Sequence, residues 1–151
     1  MRCLLFVVLL VVGWSTPSLA TFENGKQAYD RGDFAAAFRI WQAAARAGDA
    51  RAQTNLGVLY ALGRGVKPDA KVAVSWYRRA AAQDYAKGQY NLGLALRAGK
   101  GIGKDEAKAV ALFRQAAEQG LASAQYMLGL SLLRGRGCLT SAPLGHIEVI
   151  A

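Results

Sequence analysis

The chain has 151 residues, of which 53% are hydrophobic, and 19 Lys and Arg residues against 10 Asp and Glu residues give a formal net charge of +9. This length provides one ordinary domain or a few short structural repeats, and it excludes two large domains. The positive balance favours anionic partners such as acidic proteins, envelope polymers or lipid head groups, although a solvated basic surface gives the same composition.

Residues 1–20 have the pattern of a secretory signal peptide. Arg2 supplies the positive start, an apolar run covers residues 4–12, and the small residues Ser18 and Ala20 precede the predicted cut. A membrane anchor is the alternative, but the apolar run is well short of the roughly 20 residues that span a bilayer. The sequence therefore predicts a periplasmic or secreted protein with no membrane span after cleavage.

Cleavage would remove Cys3 and leave Cys138 as the only cysteine. The mature protein would then have no internal disulfide, although it is sent to an oxidising compartment. Cys138 would be either free or paired with another chain. Nucleic acid is the least expected of the anionic partners outside the cytoplasm.

From residue 41 onward the sequence repeats with a step of 36 residues. Agreement at so many positions indicates a repeat architecture rather than an accident of composition. The recurring sets are Trp41, Tyr77 and Phe113; Ala44, Ala80 and Ala116; Gln53, Gln89 and Gln125; Leu56, Leu92 and Leu128; Gly57, Gly93 and Gly129; Gly63, Gly99 and Gly135; and Gly65, Gly101 and Gly137.

Each unit is predicted to contain two helices. In the first helix, Ala52, Leu56, Leu59 and Tyr60 share one apolar face, and Gly57 lets the neighbouring helix approach closely. A loop glycine ends this helix in the left-handed conformation, and an aspartate caps the start of the second. The capping residues are Asp69 and Asp105, the second helices cover residues 70–83 and 106–119, and their predicted buried residues are Ala73, Trp76, Tyr77, Ala80, Ala109, Leu112, Phe113 and Ala116.

This pattern resembles the Sel1-like repeats, which are relatives of the tetratricopeptide repeats. The resemblance covers about residues 22–137 and implies an all-α fold, a right-handed α-solenoid of stacked helix-turn-helix repeats. Leu96 and Leu132 depart from the pattern, because they stand where the first full repeat has Tyr60. The residues that carry the resemblance, and that largely recur from residue 88 to residue 117, are Ala52, Leu56, Gly57, Tyr60, Gly63, Gly65, Asp69, Ala73, Trp76, Ala80 and Ala81.

The chain is thus divided into a leader at 1–20, a repeat domain at 21–137 and an atypical tail at 138–151. The tail offers neither the aspartate nor the aromatic residue of a second helix. It either folds back over the last helix, leaves that helix for another chain to cover, or results from a truncated or frame-shifted coding sequence. The second case would allow self-association through the uncapped C-terminal end. The predicted units cover about residues 22–48, 49–84, 85–120 and, in part, 121–137.

No catalytic or metal-binding pattern is recognisable. The segment "AGKGIGKD" at residues 98–105 has the wrong spacing for a phosphate-binding loop and is predicted to be a turn between helices. His146 is the only histidine and has no partner ligands at a suitable spacing, and Cys138 has no visible base. We expect no metal, no cofactor and no enzymatic activity.

By the resemblance to tetratricopeptide repeats, the first helices line a concave face that binds a peptide or protein partner. An apolar strip with positive rims on this face would suit an acidic partner, although its tyrosines are equally consistent with packing between units. A basic edge is a second candidate surface, with solvated charge as its alternative explanation. The partner-binding residues are predicted to be Arg51, Thr54, Val58, Lys87, Tyr90, Leu94, Arg97, Tyr126 and Leu130, and the basic edge consists of Arg64, Lys100 and Arg136.

We therefore predict a non-catalytic interaction module or adaptor of the bacterial cell envelope. Two alternatives stay open. Some cysteine-rich secreted proteins with Sel1-like repeats have been linked to β-lactam binding or hydrolysis, but the repeats here lack cysteine pairs and a Ser-x-x-Lys motif. The other alternative is a binder of anionic envelope polymer or lipid, whose affinity would fall with salt.

Overall fold

The computed structural model describes residues 17–135, with side chains from residue 21. Most of the predicted leader, residues 1–16, and the whole atypical tail lie outside the described residues. Within them the chain forms helices joined by short turns, with no strand. The helices are α1 (Pro17–Asp30), α2 (Phe34–Arg46), α3 (Ala50–Leu62), α4 (Ala70–Ala82), α5 (Ala86–Ala98), α6 (Glu106–Glu118) and α7 (Ala122–Leu133).

The helices stack in chain order. Each packs against the next, and α3 also contacts α5, so that successive pairs lie side by side. This is an all-α helical-repeat architecture, as the periodicity predicts. Helix α1 begins at Pro17, ahead of the predicted first unit, and the short turn at Asp33 joins it to α2.

Aspartate side chains begin four of the helices. Asp33, Asp49, Asp69 and Asp105 each accept hydrogen bonds from backbone N–H groups of the first turn, which would otherwise lack partners. At the other end, Gly63 and its equivalent in the next unit take left-handed φ values of 67° and 69° and close α3 and α5. The predicted capping roles of Asp69 and Asp105 are confirmed.

A glycine of the first helix meets an aromatic ring of the second helix in each of the first three pairs. A methyl group built on Gly57 would lie 2.5 Å from the ring of Tyr77, and one on Gly93 would lie 2.6 Å from the ring of Phe113. Both rings are buried. Gly25 meets the indole of Trp41 in the same way. The glycines therefore provide the space into which the rings pack.

The periodic glutamines connect one pair to the next. Gln53 donates to the carbonyl of Ala45 at 3.1 Å and accepts from the side chain of Gln83 at 2.8 Å. Gln89 likewise accepts from Gln119 at 2.9 Å. Both Gln53 and Gln89 are buried, so their amides need these partners. At Gln53 and Gln89 the recurring glutamine thus lies in the joints of the stack, whereas Gln125 is exposed and donates to the carbonyl of Ala117 at 3.3 Å.

Two predicted core residues of the second helices are only half-buried. Trp76 and Leu112 lie at the edge of their clusters, while the neighbouring Tyr77 and Phe113 are buried. The guanidinium of Arg79 lies 4.6 Å from the ring centroid of Trp76 and covers one of its faces. The prediction made the buried face of these helices too wide. Tyr77 and Phe113, which pack against the glycines, occupy the centre of that face, and Trp76 and Leu112 lie at its edge.

Substitution of the glycines tests this packing. Gly93→Ala is expected to lower the free energy of unfolding by about 1–3 kcal/mol, because the added methyl group overlaps the ring of Phe113. Gly129→Ala is the matched control: no described residue lies within 4 Å of a methyl group there, and removal of a glycine from a helix should raise the free energy of unfolding by roughly 0.5–1 kcal/mol. Urea unfolding measures both. Equal effects of the two substitutions would contradict the role given to the glycine and ring contact.

Candidate functional site

An open cavity of about 430 Å³ lies between α1, α3 and the start of α5. Val58 and Lys87, both predicted partner-binding residues, line it together with Tyr29. Its charges are mixed, because Lys26 on its wall pairs with Asp30 at 3.1 Å. The cavity therefore offers an apolar floor with both signs of charge around it.

A second cavity, of about 300 Å³, lies between α3, α4 and α5. It contains Leu94, Arg97 and Lys100, so it brings two predicted partner-binding residues together with one residue of the predicted basic edge. The apolar part of its wall includes Ala61 and Val74. Among the described residues no carboxylate lines this cavity, which makes it an apolar site with positive charge on one side.

Two predicted basic contacts pack against aromatic rings of the protein, and one of them, Arg51, also has a carboxylate partner. Arg51 pairs with Asp49, with 2.6 Å between Nη2 and Oδ2, and its guanidinium lies 4.4 Å from the ring centroid of Phe22. Burial acts to raise the pKa of Asp49, but hydrogen bonds from Arg51 and from backbone N–H groups outweigh it and hold that pKa below its ordinary value. Arg97 lies 5.8 Å from the ring centroid of Phe113, and it contacts the sulfur of Met127 at 3.8 Å.

Thr54 does not belong to an accessible surface. It is only 2% exposed, and its hydroxyl donates to the carbonyl of Ala50 at 2.9 Å. Val58, one turn later on the same face of α3, does line the first cavity, so the predicted face is right but Thr54 itself is covered within the stack. A partner cannot reach this side chain in the folded protein.

The two tyrosines of the predicted face differ in their surroundings. Tyr90 is half-buried, and its ring centroid lies 5.9 Å from that of Phe113, which favours a role in packing. Tyr126 is 67% exposed and stands open on α7. Leu130 is half-buried against the second core cluster.

The predicted basic edge is not a row of equivalent cations in the described residues. Arg64 reaches back to α1, where it contacts the hydroxyl of Tyr29 and lies 5.1 Å from the ring centroid of Phe34. Lys100 lines the second cavity instead. Arg136 lies outside the described residues.

Sequence reasoning missed the contribution of α1. Phe22, Lys26 and Tyr29 line the first cavity, and they are spaced four and three residues apart, as residues on one helical face are. The shorter turn between α1 and α2 takes the first unit out of the 36-residue register that aligned the other helices. The spacing of Phe22, Lys26 and Tyr29 along one helical face was the signal in the sequence that could have identified this contribution.

Residues 17–135 hold no group of three or more His, Cys, Asp and Glu side chains that could hold a metal ion. No helix in this part of the chain is both long enough and apolar enough to cross a bilayer.

These features define a helical-repeat protein with cavities between consecutive units. The Sel1 repeat model matches residues 19–49, 50–85, 86–121 and 122–143. The chain therefore belongs to the Sel1 repeat family, which confirms the resemblance and the all-α solenoid fold. Proteins with this repeat generally mediate protein–protein interactions and serve as scaffolds.

Two solved structures are similar to most of the chain. A Sel1 repeat protein from Oxalobacter formigenes is 35% identical, with a TM-score of 0.73 over 77% of this chain and 48% of its own. The protein c5321, a protective antigen present in uropathogenic Escherichia coli strains that displays an SLR fold, is 36% identical, with a TM-score of 0.73 over 80% of this chain and 27% of its own. This chain therefore spans less than half the length of either.

A third structure is similar in fold alone. Helicobacter pylori cysteine rich protein B is 23% identical, with a TM-score of 0.59 over 74% of this chain and 95% of its own. No curated protein matches the sequence.

Proposed function

We propose that this protein is a non-catalytic adaptor that binds an acidic peptide segment of another protein. The observation that carries the proposal is the second cavity, where Leu94 offers an apolar contact beside Arg97 and Lys100 and none of the described lining residues is a carboxylate. An apolar anchor of the partner would occupy the cavity, while its acidic neighbours would pair with the cations. The proposal assigns no cofactor and no chemical step.

The first cavity extends this surface toward α1. Val58 and Lys87 lie there, and the peptide would pass from one cavity to the other along α3 and α5. Thr54 is left out because it is buried, and Tyr90 acts mainly by supporting Phe113. Lys87 and Lys100 are exposed, so they can select the partner by charge without a role in the fold.

The proposed location is the bacterial cell envelope, in the periplasm or outside the cell. It rests on the leader pattern of residues 1–20, with its positive start, short apolar run and small residues before the cut. Acidic partners or anionic polymers are available to a basic protein there.

The binding proposal is tested with peptides selected from a phage-displayed random library against the full chain. We expect selected peptides to combine Asp or Glu with an apolar residue. Lys100→Glu should weaken their binding at least about tenfold in fluorescence anisotropy, because it places a like charge beside the acidic residues. Arg46→Glu, which makes the same charge change at an exposed residue away from both cavities, should leave binding nearly unchanged. Peptides without charge preference, or equal effects of the two substitutions, would contradict the proposal.

A specific observation favours self-association as a second interaction. Helix α7 presents Leu133, which is 86% exposed, and Leu132, which is 46% exposed. In the part of the chain that the structure describes, nothing lies within 4 Å of a methyl group built on Gly129 of the same helix, so another helix can approach closely. We infer that two copies pack through α7 around a two-fold axis.

Sedimentation velocity over a range of protein concentrations tests this contact. The protein is expected to form a dimer as its concentration rises, and Leu133→Asp should abolish the dimer because it places a charge in the apolar contact. Leu62→Asp is the control, since Leu62 on α3 is also exposed, at 57%, but lies away from α7. A monomer at all concentrations, or a dimer that persists in Leu133→Asp, would exclude the α7 contact.

A further inference from the structure

A separate cleft of about 690 Å³ opens between α4, α5 and α6. It shares no residue with the two cavities of the proposed adaptor site. Its apolar walls are Leu92, Leu96, Ile102 and Leu112. Leu92 and Leu96 are almost fully buried, whereas Ile102 and Leu112 are half-buried. The apolar floor is therefore part of the core, exposed only through the opening of the cleft.

The cleft arises because one repeat lacks aromatic residues that the preceding repeat has. Phe38, Tyr60 and Trp76 form the equivalent junction between α2, α3 and α4, where the rings of Phe38 and Tyr60 meet edge to face at 5.6 Å. All three pack against the first core cluster. One repeat of 36 residues later, these positions are occupied by the aliphatic residues Val74, Leu96 and Leu112. Leu96 and Leu112 line the cleft, whereas Val74 lines the second cavity.

At the cleft, the exchange of Tyr60 and Trp76 for Leu96 and Leu112 removes two rings, with no change in the lengths of the helices. Helices α3 to α6 have the same lengths and the same kind of turn in both units. The smaller side chains of Leu96 and Leu112 therefore leave the space of the missing rings open to the outside. An aromatic group has the shape and polarity to occupy this space.

Positive charge surrounds the opening. Arg78, Lys104 and Lys108 line it, and all three are exposed. Asp105 is the one carboxylate among the described lining residues, and it is already engaged: it accepts from the backbone N–H of Lys108 at 3.0 Å and pairs with the ammonium group of Lys108 at 2.9 Å. Arg78 and Lys104 are therefore the cations that remain for a ligand, and they attract an anion.

We propose that this cleft is a second docking site, which binds an acidic peptide through a single aromatic side chain. The aromatic ring occupies the space between Leu96 and Leu112, in place of the rings that the preceding repeat carries itself. Carboxylates next to it in the peptide pair with Arg78 and Lys104. This site is independent of the proposed adaptor surface, because no residue is common to the two.

A defined peptide is the probe. A fluorescein-labelled peptide of sequence SGDEWEDGS is titrated with the full chain at low salt, and its fluorescence anisotropy is measured. Replacement of its Trp by Ala should weaken binding at least about tenfold, because the cleft then loses the group that fills it. Equal binding of the two peptides, or no binding of either, would overturn the proposal.

A second test fills the cleft with larger side chains of the protein itself. The double variant L96Y/L112W restores the residues that the preceding repeat carries at these positions, and it should weaken binding of the Trp peptide at least about tenfold. Its thermal unfolding, followed by circular dichroism, verifies that it folds. Undiminished binding to the folded double variant would overturn the proposal.

A charge test does not depend on repacking the core. R78A/K104A removes two exposed cations from the cleft and should weaken binding about tenfold. K67A/K71A removes two exposed cations from the preceding turn and helix, outside the cleft, and should leave binding unchanged. Lys100→Glu should have little effect here although it impairs the adaptor surface, which distinguishes failure of one site from failure of the other. Equal effects of the two double variants would assign the binding to overall charge and not to the cleft.

Discussion

The close approach between a helix glycine and an aromatic ring is the contact on which the stack depends. At Gly57 and Gly93 even a methyl group would overlap the ring of the following helix, so no other residue permits the same spacing. The rings of Tyr77 and Phe113 fill this space and are buried by it. Burial raises the pKa of Tyr77 to about 12, because its ionised form is poorly solvated at this position. The position of each helix pair follows from this contact, and the glutamine joints then connect one pair to the next.

Because these contacts fix the backbone, the remaining positions of each repeat are free to differ, and the candidate binding surfaces lie at those positions. The glycine, the central ring and the glutamine recur, whereas Tyr60 and Trp76 are replaced by Leu96 and Leu112 one repeat later. The helices keep the same lengths in both units, and Leu96 and Leu112 line a cleft of about 690 Å³. A repeat protein can thus acquire a site by losing side-chain volume at one joint.

The sequence predicts the periodic parts of this structure well. A recurrence of 36 residues, together with Asp69 and Asp105 at helix starts and Gly63 and Gly99 at helix ends, is a local pattern whose physical cause is known. Surface assignments were less successful because they depend on which neighbouring helices cover each position. Thr54 is buried, although Val58, one turn later on the same face of α3, lines the first cavity.

Contacts between distant residues escaped prediction for a different reason. Arg64 contacts Tyr29 on α1, 35 residues away, and this depends on the short turn between α1 and α2. The cleft requires three helices to be placed before the effect of Leu96 and Leu112 can be recognised. Periodicity identifies which positions are equivalent, but only the packed structure shows what a difference at an equivalent position does.

The most direct test of the central claim is residue-resolved hydrogen exchange of the backbone amides in α3, α5 and α7, at a concentration where the protein is monomeric. Gly57 and Gly93 each receive a ring from the following helix, whereas nothing in the described part of the chain lies within 4 Å of the same position at Gly129. The account predicts slow exchange in α3 and α5 and faster exchange in α7, because α7 lacks the contact that holds the other two. Protection of α7 equal to that of α5 would contradict it.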